Sequence, residues 1–332
     1  MKNKFKKIGV FFKNLLINYV DILETFIWLF LFKLGNNWLF LIIACWWGFV
    51  SIRRHYRVFK SKMILKNKLI NERVQGNEGF QGQGKTSLML YMASLEYKAN
   101  EIYTIVPCKI KGQYTNVLTK EILQLKEQIP LHTCILGDEL TMFFNNLTNK
   151  KELSDDLVAS TACLYQSIRH FTDGNIINTS VDMTRLNKQL EEKHSVFNKL
   201  LGQDTHKSSW VIIPIYKMIL RIIGKYDKTK HQYLGTYRTW EYQTFVPITH
   251  ENYYYDLSTD TSNLKENHYS NLTTIWAYNN LDYEYNDTYL RKLYKTLPVN
   301  VPIKWKDMEI DREMLNKIGY SQLVKYFPTF RE

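Results

Sequence analysis

Acidic residues are outnumbered in this chain. Its 32 Asp and Glu stand against 44 Lys and Arg, a formal net charge of +12. That balance favours a negative partner, nucleic acid or an anionic lipid surface, without choosing between them. Cysteine is scarce as well. Cys45, Cys108, Cys134 and Cys163 show no CxxC spacing and no nearby histidine, which argues against a disulfide framework or a zinc site and suits a reducing compartment. Low-complexity disorder is excluded by a composition that is 45% hydrophobic and 23% charged. The aromatic share of 14% is high, but Asn, Lys, Ile and Tyr are all abundant. The excess is shared among several residue types and is not specific to any one chemistry, so it carries no functional weight.

The charge-free apolar run at 38–52 (WLFLIIACWWGFVSI) falls slightly short of the ~20 residues a membrane span needs. No small-residue cleavage site follows it, which argues against a removed signal peptide. Upstream, Gly35-Asn36-Asn37 is a turn signal, preceded by a second apolar stretch at 15–32 that Asp21 and Glu24 interrupt. Basic clusters flank the pair: Lys2, Lys4, Lys6, Lys7 and Lys13 before it, and Arg53, Arg54, Arg57, Lys60 and Lys62 after it. A transmembrane helical hairpin would keep both clusters on the cytoplasmic side, with Asp21 and Glu24 facing protein rather than lipid. Membrane lipids are thus an expected partner, and the cytoplasmic membrane the expected location. A surface-lying helix followed by one tilted span is the alternative.

Downstream the chain carries chemistry. Gly79-Phe80-Gln81-Gly82-Gln83-Gly84-Lys85-Thr86 fits GxxxxGK[ST] in full. Glycines let the backbone wrap phosphates with its N–H groups turned inward. Lys85 would reach the β- and γ-phosphate oxygens, and Thr86 would hold Mg²⁺. Ser87 opens the amphipathic stretch that follows, a helix whose N-terminus points at the phosphates. A run of 132–139 (HTCILGDE) then reads as a buried parallel strand ending in acids. Asp138 would meet Mg²⁺ through water, and Glu139 would activate the attacking water. ATP and Mg²⁺ are therefore the expected cofactors. The strand before the loop, 74–78 (VQGNE), is nearly all polar and is expected to be short or irregular. Strands at 101–110 and 175–180, alternating with helices at 118–128 and 153–171, imply an α/β fold of the P-loop NTPase type. Its mainly parallel sheet would be flanked by helices.

The order of the motifs resembles the Zot-like ATPases of filamentous-phage assembly, within the FtsK–HerA class of DNA motors. GFQGQGKT, ILGDEL, and Tyr165-Gln166-Ser167-Ile168-Arg169-His170 followed by Asn175–Ser180 carry the resemblance, over about residues 77–195. It implies ATP hydrolysis coupled to DNA packaging or extrusion, a homo-oligomer, and phage-assembly or transfer-complex proteins as partners. Arg169 would be a candidate arginine finger; its plainer reading is a cation at a helix C-terminus. Ser180 stands where that family tends to place Gln, and the membrane segment precedes the ATPase domain instead of following it. A conjugative coupling ATPase is thus an alternative, as is a membrane scaffold switched by nucleotide without turnover. A small-molecule kinase ranks last.

Beyond residue 200 no catalytic constellation stands out. Residues 209–226 read as a buried strand plus an amphipathic helix, 233–248 as a strand or hairpin, 263–289 as loops, and 311–326 as a helix. The expected organisation is a membrane anchor at 1–66, a P-loop ATPase domain at 67–205, and a smaller α+β accessory region at 206–332.

Overall fold

The computed structural model describes residues 18–104, 108–110, 113–118, 120–126, 129–138, 155–171, 173–183, 186–226, 234–245, 272–279, 283–285, 303–305 and 308–310. The expected helix at 311–326 lies outside them. The chain divides into two compact units. One takes residues 1–64, 203–240 and 274–281; the other takes 65–202, 241–273 and 282–332.

The first unit opens with α1 (Val20–Gly35) and the start of α2 (Trp38–Asn71). The turn between them follows from its two asparagines. Asn36 adopts the left-handed conformation at φ 48°, and its N–H donates to Phe32 O at 2.7 Å. The side chain of Asn37 accepts from Leu39 N at 3.0 Å and so starts the second helix. The hairpin is there, but its transmembrane reading needs correction: among the described residues no helix is long and apolar enough to cross a membrane. At 16 residues α1 is about 24 Å long, short of a hydrocarbon core of about 30 Å. The 34-residue α2 is long enough, but it turns basic at Arg53.

Asp21 and Glu24 do face protein, at 0% and 1% exposure. The carboxylate of Asp21 meets His55 Nε2 at 3.0 Å and accepts from the Tyr237 hydroxyl at 2.8 Å. Glu24 accepts from the backbone N–H of Trp210 at 3.1 Å. These contacts fix α1 against elements far along the sequence.

The second unit is built on a parallel sheet. Its strands are β1 (Val74–Glu78), β2 (Ile102–Thr104), β5 (Asn116–Val117), β6 (Cys134–Gly137), β7 (Asn175–Ser180) and the first part of β8 (Val196–Lys207), in the order β8-β1-β7-β6-β2-β5. They pair in parallel: β1 with β7 and β8, β6 with β2 and β7, and β2 with β5. The expected strand at 101–110 is split: β2 joins this sheet, while β3 (Cys108–Ile110) pairs antiparallel with β4 (Gln113–Tyr114) and β11 (Tyr283–Tyr285). The helix expected at 118–128 shrinks to α4 (Lys120–Leu123), because Leu125 turns to φ 57° and ends it. The helices α3 (Lys85–Glu96) and α5 (Asp155–Phe171) flank the sheet. On the α5 side, Leu157, Leu164, Tyr165 and Ile168 pack with Val74, Ile135 and Ile176.

The polar strand β1 is regular and buried at all five positions. Its amides are matched laterally: Gln75 donates to Glu72 O at 2.8 Å, and Asn77 accepts from Asn198 at 2.8 Å. At Gly76 a Cβ would come within 2.4 Å of the Phe197 ring, so this strand must carry glycine there. The polarity that made β1 look irregular is its means of attachment.

The remaining elements extend or cover these two units. α6 (Lys188–Glu191) follows β7. β8 and β9 (Thr236–Phe245) pass from one unit into the other. α7 (Ile212–Ile222) and β10 (Thr273–Tyr278) lie mainly or wholly in the first unit; β10 falls where loops were expected. β12 (Ile303–Trp305) pairs antiparallel with β13 (Met308–Ile310).

Behind β7 a buried relay ties the sheet to its cover. The Tyr165 hydroxyl donates to Asn178 Oδ1 at 3.2 Å, and Asn178 Nδ2 meets His194 Nε2 at 2.9 Å. His194 Nδ1 lies 2.8 Å from Leu190 O, which requires a proton on Nδ1 and leaves Nε2 to accept from the amide. The neutral ring fits the relay, and burial depresses its pKa to about 4. The unfolded chain therefore binds more protons than the folded one between pH ~6.5 and ~4. Stability should be fully present above pH ~6.5 and fall by roughly 3 kcal/mol on acidification through that window. Urea titrations at several pH values check this; the slope in that window should flatten in His194→Gln.

Candidate functional site

The loop 79–84 lies where a P-loop must, between β1 and the N-terminus of α3, at the C-terminal edge of the parallel strands. Gly79 has φ 150°, and a Cβ there would come 2.4 Å from Gln83 Oε1 and 3.0 Å from Leu200 O. Gly84 caps α3 in the left-handed region at φ 85°. Neither position accepts a side chain without strain.

Two contacts hold the loop to its neighbours. The Gly79 N–H donates to Ser180 O of β7 at 3.2 Å. The amide of Gln83 accepts from Phe80 N at 2.6 Å and donates to Leu201 O of β8 at 3.1 Å. Gln81 and Gly82 are exposed at the tip, as is the Phe80 ring. Lys85 is buried; its ammonium folds back onto the loop, donating to Gly79 O at 2.8 Å and Phe80 O at 3.3 Å. The Ser87 hydroxyl donates to Gly84 O at 2.8 Å. A buried cation and the N-terminal end of a helix make the loop electropositive.

Across from it lies Asp138, 7% exposed, just past β6. Its Oδ1 accepts from Thr86 Oγ1 at 2.7 Å and from Thr179 Oγ1 at 2.6 Å. Thus the motif pair separated by about fifty positions meets in space. The strand β7 stands between β1 and β6, so its end at Thr179 falls between loop and carboxylate. Sequence reading singled out Ser180 and passed over Thr179. The signal was parity: Gly137 pairs with Asn178, which puts residues 138 and 179 side by side on one face.

One carboxylate and one hydroxyl are a hard-oxygen pair, suited to Mg²⁺ that takes most of its other ligands from phosphate and water. Among the described residues no group of three or more His, Cys, Asp or Glu could hold a metal, which is unlike an all-protein cage. ATP with Mg²⁺ therefore fits the residues present. Glu139 lies outside the described residues. Arg169 lies within α5 one position before exposed His170, and its side chain is likewise outside the description.

Two further groups escaped the sequence reading. Glu78 ends β1 immediately before the loop, accepting from Met183 N at 3.4 Å; burial raises its carboxyl pKa. Lys68, near the end of α2, donates to Asn198 Oδ1 at 2.5 Å and Thr244 Oγ1 at 2.8 Å and lies 4.8 Å from the Tyr242 ring centroid. Burial lowers its ammonium pKa to about 8. Through Asn198 this cation reaches Asn77, two residues before the loop.

A scan against known protein-family models finds no match, and a comparison with curated proteins finds no similar one. Among solved structures the chain is similar to the N-terminal domain of zonular occludens toxin from Neisseria meningitidis, at 13% identity and TM-score 0.27, over 40% of this chain and 81% of that one. It is also similar to two RuvB structures from Thermotoga maritima. A point mutant matches at 13% identity and TM-score 0.29, over 51% of this chain and 49% of that one. The Holliday junction branch migration motor matches at 14% and 0.27, over 55% and 53%. The chain thus spans about half the length of the RuvB structures.

Thr179→Val removes one of the two hydroxyls that position Asp138. A hydrogen bond to a charged group contributes about 1.5–3 kcal/mol. The Mg²⁺ concentration for half-maximal nucleotide binding should rise about tenfold or more, and the same lost hydrogen bond should lower the melting temperature of the nucleotide-free chain. Fluorescent-nucleotide titration against Mg²⁺ checks it.

Proposed function

We propose that this chain is a Mg²⁺-dependent P-loop ATPase, held at a membrane surface, which works as a homo-oligomer to move DNA. The observation that carries the ATPase reading is the convergence of Thr86 and Thr179 on Asp138 beside a glycine loop bearing buried Lys85. Bound Mg²⁺ would neutralise charge on the β- and γ-phosphate oxygens. Lys85 would exchange its two backbone carbonyls for phosphate oxygens, and the loop N–H groups would hold the remaining charge. Thr86 and Asp138 would hold the metal, with Thr179 keeping the carboxylate in place. Glu139 would take the proton of the attacking water, and Arg169 of an adjacent subunit would meet charge developing on the transferred phosphoryl group.

Movement of DNA rests on the resemblance of GFQGQGKT, ILGDEL and YQSIRH to the Zot-like phage-assembly ATPases, and on the net charge of +12. Extrusion of a phage genome is the leading role, with phage-assembly proteins as partners; conjugative transfer uses the same chemistry. The location that follows is the cytoplasmic membrane, with the ATPase unit facing the cytoplasm.

Phosphate release by the detergent-purified chain tests the reading, with single- or double-stranded DNA and without it. Turnover should rise with one form of DNA and drop at least about a hundredfold in Lys85→Ala and Glu139→Gln. Binding without turnover under every condition would replace the motor with a nucleotide-controlled scaffold.

A further inference from the structure

Within the first unit, the helices carry an apolar surface that its own core leaves uncovered. α1 and the start of α2 expose Phe26, Phe30, Leu34, Ile42, Trp46 and Phe49, with Phe30 at 60%. A second apolar face belongs to α7, where Ile215, Met218, Ile219 and Ile222 recur at helical spacing and Ile222 is 76% exposed. Between α1, α2 and Trp210 runs an apolar cleft of about 240 Å³, bordered by Trp28, Ile43 and Trp47. Exposed apolar faces on three elements of one body mark a surface that meets something other than water.

Charge names the occupant. The two acids of α1 are turned inward, Asp21 onto His55 and Tyr237, Glu24 onto Trp210. What the apolar faces keep at their borders is basic: Lys33 at the turn, Arg53 and Lys60 along α2, and Arg221 and Lys225 at the end of α7 are all exposed. Apolar side chains rimmed by cations match the acyl and headgroup layers of an anionic bilayer.

Depth follows from length. Asp21 and Glu24 are fixed to the strands and loop of this unit, so the hairpin is free only beyond them. From Glu24 to the turn it rises about 18 Å, well short of the about 30 Å of hydrocarbon a crossing requires. Cations stand at both ends of that free stretch, and both reach headgroups of one leaflet if the helices lie shallow.

We propose that the first unit binds an anionic phospholipid bilayer from one side, with the α1–α2 hairpin and α7 entering a single leaflet and neither crossing it. This rests on the membrane attachment put forward above and replaces the expected transmembrane hairpin with a shallow one.

The test uses the full chain diluted from detergent onto vesicles of phosphatidylcholine alone or mixed with phosphatidylglycerol. Cys45, exposed on α2, is a native reporter, and exposed Cys163 serves as the control. Gly35→Cys adds a reporter at the turn, where nothing lies within 4 Å. The proposal expects flotation with the mixed vesicles, much weaker with phosphatidylcholine alone. Cys45 and the thiol at 35 should resist a membrane-impermeant maleimide added outside or sealed inside, while Cys163 reacts. The double variant Ile219→Asp with Ile222→Asp should float about tenfold less or worse, with its melting curve in detergent unchanged. Labelling at position 35 by reagent sealed inside would overturn the shallow mode and leave membrane attachment standing. Wild-type flotation of the α7 variant would overturn the part assigned to that helix. Failure to float with either vesicle would end the membrane attachment itself.

Discussion

A phosphate loop needs a strand that does not move when charge arrives, and here that strand is held by buried amides. β1 cannot rely on aliphatic packing, since only Val74 among its five residues is apolar. Gln75 instead caps carbonyls at the end of α2, Asn77 joins Asn198, and Lys68 meets Asn198 from behind. Asn175 of β7 closes the arrangement by donating to Leu69 O at 2.7 Å. Each of these hydrogen bonds forms only in one register, because a slip of one residue would turn every side chain to the other face. The loop, the Asp138 carboxylate and the end of β7 inherit their positions from that register.

Such a design carries a cost in desolvation that an apolar strand would not. Burial accordingly lowers the pKa of the Lys68 ammonium to about 8 and raises that of the Glu78 carboxyl. Among the described residues Asn77 Nδ2 and Gln75 Oε1 are buried without a hydrogen-bond partner.

Much of the site was legible from residues alone. GFQGQGKT announces its own geometry, because three glycines at fixed offsets and a following helix have few other solutions. Strand β7 matched its expected bounds of 175–180, since Ile176 and Ile177 form an apolar pair bounded by turn residues. Other features were not legible. The regularity of β1 depends on partners at 68, 72 and 198, which no local pattern reveals. Thr179 became visible only once the β6–β7 register was known. The hairpin turn was plain in Gly35-Asn36-Asn37, yet the partners that hold Asp21 and Glu24, Tyr237 and Trp210, lie too far along the chain for a local pattern to reveal. The helix α7 stands where an amphipathic helix was expected and buries Ile213 and Leu220, with Ile215, Ile219 and Ile222 on its exposed side; the buried strand expected before it is not formed at 209–211, where Trp210 is exposed.

The central claim is that Thr86, Asp138 and Thr179 form the metal side of a nucleotide site whose phosphate side is the loop. Calorimetric titration of the full chain with ATP, in Mg²⁺ and then in excess chelator, tests it most directly. The account predicts saturable binding in Mg²⁺ that weakens about tenfold or more without the metal, and that loses this metal dependence in Asp138→Ala. Equal affinity in Mg²⁺ and chelator, or a metal dependence untouched by Asp138→Ala, would contradict it.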